Sequence, residues 1–289
     1  MMADSPKKAR RSLQSHGQRS KVYVPVLLRI FKRLHRPDLQ VIDFSLDDIR
    51  EALTELGIEG RNPADVIYRM RSRTLLPEAI RAAGFTVLRA TNRGKYRFEK
   101  APDTIFALPE PPIAPALDLT PLPVRRLLPE HLADIDEQGL LAVVTYCKLL
   151  DHFTGLTVYR LRSHVRKSVR GVGQAEVDEV DVGIALRDDE IPVVIPIEAK
   201  AADEPVNRVQ IVYQILYAQE YFVGHEVRPV CIKVDYDSVL HFLEFNVTAH
   251  AGELKILRSS RYTLTPSQIQ LEAIRARAGV ALKHVAQKE

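Results

Sequence analysis

The stretch Ile191–Lys200, IPVVIPIEAK, decides how the rest of the chain is read. Its apolar, mostly β-branched run has the pattern of a strand buried on both faces, and it ends on a carboxylate and an ammonium two positions apart. Residues i and i+2 of a strand project to one face, so Glu198 and Lys200 belong together while the Ala199 carbonyl stays accessible beside them. The triplet Glu-x-Lys carries little by itself, because a chain of this length contains about one by chance. Glu253-Leu254-Lys255 is such a second instance, downstream of Asp235 and Asp237. Context separates the two. LTVYRLRSHVRKSV and AEVDEVDVGIAL read as strands before IPVVIPIEAK, with a turn at Arg187-Asp188-Asp189-Glu190. The residues from Ile135 to Phe153 have helical spacing, as do those from Val206 to Phe222, and RPVCIKV and VLHFLEFNV read as further strands. The order αβββαβ predicts an α/β or α+β core, a mixed sheet covered by helices. Glu253, in contrast, follows Ala-Gly at the beginning of its strand, and no helix immediately precedes Asp235.

Composition sets outer limits. The 289 residues are 46% apolar and 27% charged, as in a soluble globular protein. No run approaches the roughly 18 apolar residues of a membrane span, so no membrane partner is expected. The opening MMADSPKKARRSLQSHGQRSK has basic residues but no apolar segment after them, which predicts a disordered basic tail over 1–20 rather than a secretory signal, and a cytoplasmic location. Cys147 and Cys231 are far apart and show no zinc spacing. Residues 1–100 hold 21 Lys and Arg against 11 Asp and Glu, an excess of +10, whereas the remainder is at −6. A basic first third suits a polyanion partner, most simply nucleic acid.

Eight of the 18 prolines fall between Pro102 and Pro129, which predicts an extended linker over 101–130 without regular structure. It would separate a domain at 21–100 from one at 131–289. In the first, VYVPVLLRIFKRLH has an apolar helical face, and Ser45 with Asp48 forms a capping-box-like start for LDDIREALTELG. Asn62 and Pro63 suit the start of a third helix running to Arg73. FTVLRA and KYRFEK, joined by Thr91-Asn92-Arg93-Gly94, read as a hairpin. Three helices and a hairpin resemble a winged helix-turn-helix domain. That resemblance implies a recognition helix bearing Arg69, Arg71 and Arg73, with Arg93 and Lys95 on the wing, all as DNA contacts.

Metal-dependent phosphodiester cleavage needs two carboxylates on a hard cation, further oxygen ligands, and a positive group beside the attacking water. Glu198 supplies one carboxylate, and a neighbouring strand must supply the other. Asp178 and Asp181 have opposite strand parity, so only one of them can face the site unless a bulge intervenes. An Asp on one strand followed by Glu-x-Lys on the next resembles the PD-(D/E)XK nuclease superfamily, to which many type II restriction endonucleases belong, over roughly residues 135–247. No Pro precedes this Asp, a departure from the usual pattern. The resemblance implies Mg²⁺ held by Asp178, Glu198 and the Ala199 carbonyl, with Lys200 and Gln210 as catalytic side chains and Glu137 as an additional acidic residue. Gln214 shares a helical face with Gln210. Among the basic residues Arg160, Arg162, Arg166, Lys167 and Arg170, the pair Arg166 and Lys167 is expected on DNA. The expectation is a Mg²⁺-dependent endonuclease on double-stranded DNA, a sequence-specific restriction enzyme acting as a homodimer. Its rivals are a repair or junction-resolving nuclease of the same fold, and a winged-helix regulator whose nuclease-like domain only dimerises. No phosphate-binding loop and no GxSxG elbow offers another chemistry.

Overall fold

A computed structural model describes residues 23–58, 62–63, 67, 75–185 and 191–266. The basic tail, most of the third N-terminal helix with Arg69, Arg71 and Arg73, and the turn Arg187–Glu190 lie outside the described residues. A helix over 23–34 (α1) leads to β1 (Val41–Ser45), α2 (Leu46–Glu55), α3 (Glu78–Ala82), β2 (Phe85–Asn92) and β3 (Lys95–Lys100). The capping box forms: the Ser45 hydroxyl accepts from the Asp48 amide, and Asp48 Oδ2 accepts from the Ser45 amide at 2.7 Å. The β2–β3 hairpin turns at Arg93-Gly94, where Gly94 has φ 68°, a left-handed value that glycine adopts without steric cost. β1 was not expected. VIDFS pairs antiparallel with β3, giving the sheet order β1-β3-β2, and its inward Ile42 and Phe44 join Phe31, Phe85 and Phe98 in one core.

The larger sheet has the order β4-β10-β9-β8-β7-β6-β5. Its strands are β4 (Ile113–Asp118), β5 (Thr157–Val169), β6 (Gly173–Ile184), β7 (Val193–Lys200), β8 (Val230–Val234), β9 (Leu240–Phe245) and β10 (Ile256–Pro266). The pairs β7/β8 and β4/β10 are parallel and the others antiparallel, so the protein is mixed α/β with a large mixed sheet. Short helical turns at Leu122–Arg125 (α4) and Leu132–Asp134 precede α5 (Glu137–Tyr146) and α6 (Leu149–Thr154), which pack on one face. On the other face lies α7 (Arg208–Tyr221), its Val209 and Val212 against Val177 and Val180 of β6.

All eight residues of β7 are buried, which is why the sequence reads as an unbroken apolar run. Pro196 within this central strand has no amide to donate, and pairing on the β8 side is interrupted there: Val194 bonds Glu226 and Arg228 as an isolated bridge, and the regular ladder begins at the Ile197–Val230 pair.

Two expectations are corrected. The proline-rich 101–130 segment is not free of regular structure: Ile113–Asp118 is β4, and Pro115 is tolerated because β4 is an edge strand. The helix expected over 135–153 is two helices, broken at Cys147-Lys148, where Lys148 takes φ 54°.

The two sheets are joined by buried contacts. Arg89 on β2 and Glu99 on β3 form an ion pair at 2.6 Å, 3% and 1% exposed. Arg89 Nη2 also donates to the Ala249 carbonyl at 3.0 Å, and Glu99 Oε2 accepts the Ala251 amide at 2.9 Å. A side chain at Gly252 would come within 2.3 Å of the Lys100 carbonyl oxygen, so only glycine allows this approach. Val87 of β2 belongs to the core beneath α7. Among the described residues, no helix is long and apolar enough to cross a membrane.

Candidate functional site

Three neighbouring elements build the site. β6 and β7 pair with Glu179 opposite Ile197, which sets Asp178 beside the end of β7. Asp178 Oδ2 accepts the Ala199 amide at 2.9 Å, so the backbone of Glu-Ala-Lys itself orients the aspartate. Glu198 Oε1 accepts from Lys200 Nζ at 2.6 Å and from Gln210 Nε2 at 2.5 Å. Gln210 reaches it from the first turn of α7, whose entry is fixed by the N-cap Asn207, the side chain of which accepts the Val209 amide at 2.8 Å. The Ala199 carbonyl accepts from Lys200 Nζ at 3.1 Å.

These groups form the floor of a cleft of about 1020 Å³. Glu137, from the first turn of α5, Glu204, from the loop after β7, and Arg166 of β5 also line it. The N-terminal sheet lines it as well, through Asn92, Arg93 and Gly94 at the hairpin tip and Tyr96, as do Val172 and Gly173 at the β5–β6 turn. Among the described residues the lining carries five carboxylates (Glu137, Glu176, Asp178, Glu198 and Glu204) and three cations (Arg93, Arg166 and Lys200).

Burial dominates the electrostatics. Glu198 is pushed up to about 8, first by burial and then by Asp178, against the opposing pull of Lys200. Asp178 is raised by burial, an effect that the Ala199 amide and Lys200 reduce. Burial alone would lower Lys200, but the Glu198 carboxylate outweighs it and holds the ammonium above its ordinary range. The two partners pull in opposite senses, since a charged Lys200 needs an ionised Glu198 whereas burial favours a neutral one. Glu198 keeps the raised direction that burial sets, and the two donors on its one carboxylate oxygen hold it once it ionises.

Asp178, Glu198, Lys200, Gln210, Glu137, Arg93 and Arg166 therefore line one cleft. Lys95 and Lys167 do not line it. Arg160 pairs with Glu179 at 2.6 Å, and Arg162 lies over the Phe222 ring. Asp181 faces away from the cleft and joins Glu179, the two being held up to about 6 and about 8 by burial and, for Glu179, by its acidic neighbour. Gln214 is buried, with Nε2 on the Val230 carbonyl at 3.4 Å rather than at the site. Glu253 and Lys255 are exposed and outside the cleft.

Two residues escaped sequence reasoning. Glu204 has a buried Oε2 without a hydrogen-bond partner among the described residues, and burial raises it, followed by a hydrogen bond with Glu137. Lys233 on β8 donates to the carbonyls of Ala201, Ala202 and Glu204 at 2.7, 3.0 and 2.6 Å, and so fixes the loop that carries Glu204. A lysine inside the otherwise apolar VCIKV was the available signal.

Among the described residues, no three or more His, Cys, Asp or Glu form a ready metal cage. The donors nevertheless suit a hard cation: Mg²⁺ is commonly held by one or two carboxylates, with water completing its shell, and Asp178 and Glu198 provide two, with the orphaned Glu204 oxygen in the same cleft. No family model matches the sequence, and no curated protein or solved structure matches it either.

Proposed function

We propose that the chain is a Mg²⁺-dependent endonuclease of the PD-(D/E)XK type that hydrolyses double-stranded DNA, a sequence-specific restriction enzyme of the cytoplasm. The carrying observation is the convergence of Asp178, Glu198 and Lys200 at the floor of one cleft, with Gln210 bound to Glu198. On this reading the order α5–α6, β5, β6, β7, α7, β8 is the restriction-endonuclease-like core, and the three-stranded sheet with its helices is the winged helix. Cutting both strands with one such site per chain calls for a homodimer.

Asp178 and Glu198 would hold Mg²⁺, with the Ala199 carbonyl beside them. When bound, the cation supplies Lewis-acid charge at the scissile phosphate and lowers the pKa of a bound water. The Ala199 amide keeps Asp178 in place, and Gln210 does the same for Glu198. Lys200 is charged and lies against both Glu198 and the Ala199 carbonyl. There it stabilises the attacking oxygen and the negative charge that grows on the phosphoryl group. Among the described lining residues carboxylates outnumber cations, so a bound cation would also offset their repulsion of a polyanion.

The test is incubation of plasmid and phage DNA with the protein in Mg²⁺ and in EDTA, beside Glu198→Ala. Discrete fragments that need both Mg²⁺ and Glu198 support the reading. No cleavage, or equal cleavage by the variant, removes it, and a smear removes sequence specificity.

A further inference from the structure

We infer that the β2–β3 hairpin is a fixed wall of the catalytic cleft that holds the DNA backbone through Arg93, so that the bases read by the N-terminal domain and the bond that is cut lie in one continuous footprint. The inference rests on the nuclease reading above. It takes Arg93, already expected on DNA as part of a wing, into the catalytic cleft with a stated ligand, a backbone phosphate of the bound strand, and it sets the cut inside the contacted DNA rather than at a remove from it.

Three observations carry it. First, the hairpin tip at Asn92–Gly94 lines the same cleft as Asp178 and Glu198. Second, the hairpin cannot swing as a tethered reader would. The Tyr213 hydroxyl meets both the Ala90 amide and the Ala90 carbonyl, at 3.0 and 3.3 Å, and Tyr213 is one turn along α7 from Gln210. A side chain at Gly171, in the β5–β6 turn, would be 3.7 Å from the Thr91 carbonyl, and the buried Arg89–Glu99 pair grips Ala249 and Ala251 behind the hairpin. One helix thus positions both the hairpin and the glutamine on Glu198, which fixes the distance between wing and floor. Third, Arg93 is the uncommitted cation among the described lining residues. Lys200 is bound to Glu198, and Arg166 pairs with Glu176 at 3.0 Å, whereas Arg93 makes no ion pair with any described residue. An arginine on a rigid hairpin tip, facing a cleft otherwise rich in carboxylates, has its full set of donors free for a phosphate.

The test uses the full chain in the cleavage-inactive Glu198→Ala background with Ca²⁺. Affinity for a duplex that the wild type cuts is measured against salt for that protein, for the further variant Arg93→Ala, and for Lys32→Ala, an exposed site outside the cleft. One lost phosphate contact lowers the log–log slope by about 0.9. The fall in affinity between 50 and 200 mM salt then becomes about 3.5-fold smaller for Arg93→Ala and is unchanged for Lys32→Ala. Hydroxyl-radical footprinting of the Glu198→Ala protein should place the wild-type cut within the protected interval. An unchanged slope for Arg93→Ala, or a cut outside the footprint, overturns the inference while leaving the nuclease reading in place. A wild type that cuts no DNA overturns both.

Discussion

Replacing Glu99 with alanine should separate the two sheets energetically, and the size of the effect follows from the partners it strands. Glu99 Oε1 receives Arg89 Nε at 2.7 Å and Nη2 at 2.6 Å, and Oε2 receives the Ala251 amide, all in a place where both residues are at most 3% exposed. Removing the carboxylate leaves a guanidinium out of water without its counter-charge, a change that costs about 3–5 kcal/mol. In a protein of this size each kcal/mol lowers Tm by roughly 2–4 °C, so a fall of roughly 6–20 °C is expected. The double variant Arg89→Met/Glu99→Leu removes both charges and should recover most of that loss, because a buried pair is often no better than a well-packed apolar one. Urea unfolding of the wild type, the single variants and the double variant closes the cycle and gives the coupling energy. If Glu99→Ala unfolds within about 1 kcal/mol of the wild type, an exposed-pair value, the reasoning about a buried joint is wrong.

Two further outcomes follow from the carboxylates. Glu198, raised to about 8, must give up its proton to hold a cation. Without metal its contribution to stability is present at low pH and is lost as pH rises from the usual carboxylate range through about 8. Mg²⁺ should therefore raise Tm more at pH 8 than at pH 6, by an amount equivalent to about 1.4 kcal/mol at ten times Kd, and Glu198→Ala should abolish the shift in a thermal scan. On the opposite face Glu179, also raised to about 8, holds a proton that the unfolded chain releases near its ordinary value. Glu179→Gln imitates the protonated acid, so it should match the wild type near pH 5 and exceed it in urea midpoint above pH 8; parallel curves across that range contradict this.

The sequence made β7 and its partners legible because burial on both faces leaves a continuous apolar run, and because strand parity separates Asp178 from Asp181. The Ser45–Asp48 capping box and the Gly94 turn were legible for a similar reason, each being a local requirement met by residues three or fewer apart. What was not legible is long-range. β1 is short, and only its pairing with β3 declares it a strand. β4 gains its structure from β10, nearly 150 residues later, and its prolines argue against a strand until the edge position is known. The same holds for Arg89 and Glu99, which look like ordinary surface charges on a hairpin until Ala249 and Ala251 are brought against them. Glu204 sits in a loop with no periodicity, and its place in the cleft depends on Lys233 gripping the loop from a strand about 30 residues downstream.

The central claim is that Asp178, and not its neighbour of opposite parity, works with Glu198 on a phosphodiester bond. The direct measurement is conversion of supercoiled plasmid to linear DNA in Mg²⁺ by the wild type, Asp178→Asn and Asp181→Asn, each shown to be folded by circular dichroism. The wild type and Asp181→Asn should cut at comparable rates, while Asp178→Asn should lose at least about a hundredfold, in keeping with the loss of a group that stabilises transition-state charge. Cleavage that survives in Asp178→Asn, or that is lost only in Asp181→Asn, contradicts the account.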